Sequence, residues 1–261
     1  MIKYKIHDVY VRGSNLPAAL DEFECVVKSG RRTFVVFLEA NLLYSLLTVK
    51  GLAEVINKAG YIFPDGTAIA KAVLMRHKKN ISRIPGPTFM LRACEHGQKL
   101  KWRHFFYGGA PEVAEKLVAK LTADYPDMIV AGVYSPPFRK IKDNALDIPP
   151  EEDAAEIKMI NEARPDFVWV GLGGPKQEYW MYSHLGKIDA PLMLGVGAAF
   201  DFHSGNRPWA PKIVRMVGLE WLYRMCSGGK ATFKRNVRCV SGSMLLLIEY
   251  FMKYVLMRWH P

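Results

Sequence analysis

Residues 166–180, DFVWVGLGGPKQEYW, join an apolar run to three glycines, a proline and then a lysine, a glutamine and a glutamate. Gly171, Gly173 and Gly174 allow a sharp backbone turn and the close approach of a ligand. Pro175 suits the opening of a helix, which puts Lys176, Gln177 and Glu178 on its first turn. Free N–H groups at a helix start, with a lysine beside them, favour an anion such as phosphate. The same glycines also serve a plain strand-to-helix turn, and the loop alone does not choose between the two. A second residue with chemistry is Asp65, in Pro64-Asp65-Gly66. Its spacing reads first as a turn closure and a cap for the helix that follows.

The elements that must position these residues alternate between strand and helix patterns. Strands are expected over residues 33–39, 61–63, 104–107, 128–133, 167–170 and 192–196. Their apolar runs show no polar alternation, as in parallel strands covered on both faces. Helices are expected over 41–49, 52–59, from Gly66 through about His77, then 88–97, 111–124 and from Glu151 to near Arg164. Pro85-Gly86-Pro87 reads as a break, and the proline-rich stretch 134–150 as a mobile loop. Repeated βα units with glycine at strand ends indicate an α/β fold: a doubly wound, mainly parallel, Rossmann-like sheet. In such sheets ligands bind beyond the carboxyl ends of the strands. Asp65-Gly66, Gly108-Gly109, Gly173-Gly174 and 195–201 all fall there, which favours a nucleotide-type pocket.

Several chemistries are excluded by absence of their signatures. There is no GxGxxG in the first unit, no GxxxxGK followed by Ser or Thr, no GxSxG and no DxD. The four cysteines (Cys25, Cys94, Cys226 and Cys239) form no CxxC, which suits a reducing cytosol and argues against a zinc site or disulfides. What remains is metal-independent chemistry on a phosphorylated ligand. The first residues lack the apolar core of a signal peptide, and no run of eighteen apolar residues occurs, so the protein reads as intracellular.

FPDGTAIA (63–70), FFYGGAPEVAEKL (105–117), VGLGGPKQE (170–178), GVGAAFDFHSG (195–205) and GLEWLYRM (218–225) together resemble, in order and spacing, the WecG/TagA/CpsF bacterial glycosyltransferases, glycosyltransferase family 26. The resemblance implies a cytoplasmic enzyme that moves a sugar from a UDP-sugar to a polyprenyl-diphosphate-linked acceptor with inversion. It also implies a C-terminal appendage that docks on the membrane and closes the active site; with the motifs above missing, no cofactor or metal is expected. Asp65 matches the family's proposed catalytic aspartate, which reverses the cap reading and makes it the general base for the acceptor hydroxyl. Charge developing on the UDP diphosphate then needs fixed cations or N–H groups. Arg83 matches a family arginine, and Arg215 and Arg224 flank GLEW and fit the same clamp; the bland reading of these arginines is a solvated face. Gln177 matches a family glutamine near the donor, against the plain reading of a helix-start residue facing water. Gly108, Gly109 and Gly174 are placed to admit the nucleotide. Asp201 reads as structural.

Three positions depart from the family. Phe37 and Glu39 stand where Thr-x-Asn commonly contacts the donor side, Trp209-Ala210-Pro211 where Arg-Ala-Pro is usual, and Gly174 where threonine or serine is frequent. The first departure leaves glucose-type and N-acetylmannosamine-type donors both open.

The charge is unevenly placed. Ten Lys and Arg against Glu220 and Glu249 give residues 207–261 eight of the eleven net positive charges. Residues 244–257, MLLLIEYFMKYVLM, are too short to span a bilayer, and Glu249 and Lys253 form an i,i+4 pair. With Lys230, Lys234, Arg235 and Arg238 upstream and Phe251 and Trp259 among the apolar groups, this region suggests a helix in an anionic membrane interface. Packing on the core or on another copy is the alternative, so a homo-oligomer stays open. Nucleic-acid binding ranks last, because it would not need this apolar content. The expected division is residues 1–203 as the catalytic domain and 204–261 as the appendage, on the cytoplasmic face of the inner membrane. The competing function is a non-catalytic UDP-sugar-binding scaffold at the membrane.

Overall fold

The fold is that of a computed structural model, which describes residues 2–211 together with 213, 214, 223, 237, 240, 241, 244 and 248. A short hairpin opens the chain: β1 (Lys3–Ile6) pairs antiparallel with β2 (Val9–Arg12). Helix α1 (Leu16–Ser29) begins where the Asn15 side chain accepts from the Ala18 N–H and ends at left-handed Gly30. Both are strong boundary signals. There follow β3 (Thr33–Leu38), α2 (Ala40–Thr48), α3 (Leu52–Asn57), β4 (Tyr61–Pro64), α4 (Thr67–His77), α5 (Gly86–Leu100), β5 (Arg103–Gly108), α6 (Pro111–Asp124) and β6 (Ile129–Tyr134). The second half carries the two-residue strands β7 (Ile141–Lys142) and β8 (Ala145–Leu146), then α7 (Pro150–Glu162), β9 (Phe167–Gly171), α8 (Lys176–Ser183), β10 (Leu192–Gly195) and α9 (Ala199–Ser204).

Six of these strands form one parallel sheet in the order β4-β3-β10-β9-β5-β6. The six apolar runs expected to be strands are these six, and the doubly wound, Rossmann-like α/β reading holds. Side chains alternate between faces, so each strand feeds two cores. Phe34, Val36, Val168, Val170 and Met193 pack with Leu42, Val55, Val73, Ile160 and Trp180 of α2, α3, α4, α7 and α8. Val35, Phe37, Phe167, Trp169 and Leu194 pack on the other face with Phe23, Phe89, Leu117 and Phe200 of α1, α5, α6 and α9. Each fully buried aliphatic or phenyl side chain contributes roughly 1.5–3 kcal/mol.

Two local expectations change. The Pro85-Gly86-Pro87 break is itself the start of α5, with Pro85 at the N-cap and Pro87 in the first turn. Proline is tolerated there because its missing N–H has no helical partner to lose. Residues 134–150, expected as a mobile loop, contain the β7–β8 hairpin and a buried arginine. Arg139 pairs with Glu152 and Glu156 of α7, and the Tyr107 hydroxyl donates to Glu156 at 2.6 Å. Burial, with the Glu156 carboxylate next, pushes the Tyr107 phenol well above its ordinary value, so it remains a donor. Among the described residues, no helix is long and apolar enough to cross a membrane.

Candidate active site

Because the sheet is parallel, β3, β4, β9 and β10 all end on one edge, and residues just past those ends line a single pocket. Its walls include Phe37, Glu39, Asp65, Gly174, Gln177, Glu178 and Gly197. Asp65 is fixed by its own N–H, which donates to the Leu38 carbonyl at 3.0 Å and ties the end of β4 to β3. Gly66, not Asp65, holds the N-cap position of α4. The aspartate stands one residue before the N-cap and belongs to the pocket wall.

Gln177 does not face water. It is 5% exposed, and its amide donates to the Glu178 carboxylate at 2.9 Å. Gly195 at the end of β10 makes this placement possible: a β-carbon there would lie 2.8 Å from Gln177 Nε2. Glu178 is fully buried, and burial first, with the Glu39 charge adding to it, pulls its carboxyl up to about 7. Sequence reasoning missed Glu178, because a glutamate on a first helical turn reads as a solvated partner of the helix dipole. The signal that was present is that its helix carries Tyr179, Trp180 and Met181 immediately after, all buried.

Phe37 forms an apolar wall, packed against Phe63, Phe89 and the α-carbon side of Gly86. Glu39 occupies the N-cap of α2 at the pocket rim. Gly174 is exposed and lies over Glu178, where a β-carbon would meet its Oε2 at 3.2 Å. Arg83 is half-buried outside the lining, in the segment held beside Asp65 by the Ile84 N–H on the Pro64 carbonyl, 2.8 Å. Gly108 and Gly109 sit at the end of β5 and also outside the lining. Gly108 adopts φ +121°, and a β-carbon there would strike the Gly171 backbone at 2.7 Å. Gly108 serves the close approach of β5 and β9, while Gly109 adopts φ +72° with the Phe200 ring beside it. At the start of α8, Lys176 Nζ lies 3.5 Å over the Phe138 ring and outside the pocket lining. Asp201 accepts from Asn206 at 2.8 Å and lies 3.7 Å from Arg207, in keeping with its structural reading. Trp209 stacks on Phe202. Arg215, Arg224, Lys230, Lys234, Arg235, Arg238, Phe251 and Trp259 lie outside the described residues.

A doubly wound parallel sheet with a carboxylate-bearing pocket at its strand ends places this chain among Rossmann-like α/β enzymes. The profile of the Glycosyl transferase WecG/TagA/CpsF family matches residues 4–255, so the chain belongs to that family and is a glycosyltransferase. The match runs from the opening hairpin into the basic tail. Among curated relatives, the N-acetylglucosaminyldiphosphoundecaprenol N-acetyl-beta-D-mannosaminyltransferase of Staphylococcus aureus strain NCTC 8325 / PS 47 is 29% identical over 197 residues, 76% of this chain and 73% of its own length. Proteins of the same name from strains COL and MRSA252 match to the same extent.

Proposed function

We propose that this chain is an inverting transferase that moves a hexose or N-acetylhexosamine, of glucose or N-acetylmannosamine type, from a UDP-sugar to a polyprenyl-diphosphate-linked saccharide in exopolysaccharide or cell-surface polysaccharide synthesis. The observation that carries the reading is Asp65 in one pocket with Gln177. The relatives' name specifies a lipid-diphosphate acceptor, and the basic, apolar tail suits an enzyme working at the cytoplasmic face of a membrane as a peripheral protein.

In this mechanism the Asp65 carboxylate takes the proton of the acceptor hydroxyl as its oxygen attacks the anomeric carbon from the face opposite UDP. The bond from that carbon to the diphosphate oxygen breaks, and negative charge collects on UDP. Arg83, with Arg215 and Arg224 of the 204–261 appendage, is assigned to neutralise it. Phe37 supplies an apolar wall that keeps water from the reacting centre.

The test is release of UDP from a panel of UDP-sugars with a detergent-dispersed polyprenyl-diphosphate sugar, for wild type and Asp65→Ala. Acceptor-dependent release with one donor, reduced about 10²–10⁴-fold in the variant, is expected for loss of a general base. UDP binding without release on any donor points to the scaffold instead.

A further inference from the structure

Within the pocket, two buried polar atoms have no partner. The Gln177 amide nitrogen is spent on Glu178 Oε1, which leaves Gln177 Oε1 and Glu178 Oε2 unpaired. Leaving such atoms unmet costs about 1–3 kcal/mol each, a cost that a ligand removes when it pairs them. We propose that Glu178, with the Gln177 amide locked to it, is a specificity-determining residue that reads two neighbouring hydroxyls of the donor's uncharged sugar ring; this rests on the transferase reading above.

The chemistry of the pair selects the occupant. Gln177 Oε1 only accepts, and so needs an O–H or N–H. A protonated Glu178 Oε2 donates, and so needs a lone pair. A pair of neighbouring hydroxyls offers both a donor and an acceptor. A phosphate offers acceptors alone, and among the described residues lining the pocket Glu39, Asp65 and Glu178 bring carboxylates while no Lys or Arg takes part. Carboxylates from the described lining favour the uncharged sugar ring there over the diphosphate. Gly174 completes the design, since a β-carbon there would crowd Glu178 Oε2 at 3.2 Å and a hydroxyl would pair it in place of the ligand.

The test is calorimetric titration of the full chain with UDP and with UDP-glucose, UDP-N-acetylglucosamine and UDP-N-acetylmannosamine, for wild type, Glu178→Leu and Gly174→Ser. In both variants the affinity for the UDP-sugar preferred by wild type, taken relative to UDP, is expected to fall about tenfold, the worth of one buried hydrogen bond, with UDP itself bound as before. Equal weakening of UDP and UDP-sugar, or no change in their ratio, overturns the assignment. Should Glu178→Leu not fold, Gly174→Ser decides by the same ratio, its position being exposed. Wild type binding neither UDP nor any UDP-sugar overturns the transferase reading itself, a result distinct from an unchanged ratio.

Discussion

A carboxyl with no exposed surface is costly in its charged form, and Glu178 meets that cost by holding its proton to about pH 7. The unfolded chain releases the same proton near its ordinary 4.5. Between those values the folded state binds the extra proton, so stability falls as pH rises through the window and levels off above about 7. The full loss is on the order of 3 kcal/mol. Glu178→Gln keeps the shape and removes the titration. Urea unfolding at pH 5 and pH 8 should therefore show a smaller stability difference in the variant than in wild type, and an identical difference would mean that the carboxyl ionises freely in the fold. Asp65, Gln177 and Gly174 were singled out in the sequence by the family-like motifs FPDG and GGPKQE, since from spacing alone Asp65 read as a cap, and all three line the pocket. Glu178 was not, since burial of a helix-start glutamate depends on α8 lying against β9, β10 and β3, the last of them far away in the chain.

At the scale of elements, the sheet was readable because its six strands are short apolar runs bounded by glycine or proline turns, too short for helices, and all but edge strand β6 are buried along most of their length. The β1–β2 hairpin and α1 went unread, although Asn15 and Gly30 mark both ends of that helix. The β7–β8 segment hid for another reason: its order comes from contacts with other elements, such as Tyr179 on Asn144, Leu146 on the core and Arg139 on α7. Arg139, 7% exposed at its side chain, bridges Glu152 and Glu156 across to α7, and Glu156 in turn accepts from Tyr107. Nothing local announces an arginine that will be buried. Arg139→Met removes the cation and strands Glu156 in the interior, which costs about 3–5 kcal/mol when one partner of a buried pair is lost. Denaturant unfolding should show that loss, and limited proteolysis should open the chain within 134–150 first. Unchanged stability would reduce the pair to a surface contact.

Over the whole molecule the charge separates into two parts: residues 207–261 hold eight of the eleven net positive charges, and the first 206 share the other three. On the proposed function, a body of modest charge joined to a basic, apolar tail suits an acceptor anchored in a bilayer, the tail being proposed to bring the pocket to the headgroup plane without spanning it. Each Lys or Arg near an anionic surface contributes about 1 kcal/mol, so Lys230, Lys234, Arg235 and Arg238 together would contribute about 4 kcal/mol, a factor of roughly 10³ in partition. Replacing all four by alanine should lower co-sedimentation with phosphatidylglycerol-rich vesicles by about 10²–10³-fold. Wild type should lose most of its binding between 0.1 and 0.5 M salt, where screening shortens the reach of the lipid charge. A residual, salt-insensitive fraction is expected from Phe251, Trp259 and the apolar run between them, which bury area rather than charge. Binding that ignores both the substitutions and the salt would instead place this tail against the body or against a second copy, where its apolar side chains would be covered by protein and the basic residues would have no lipid to meet.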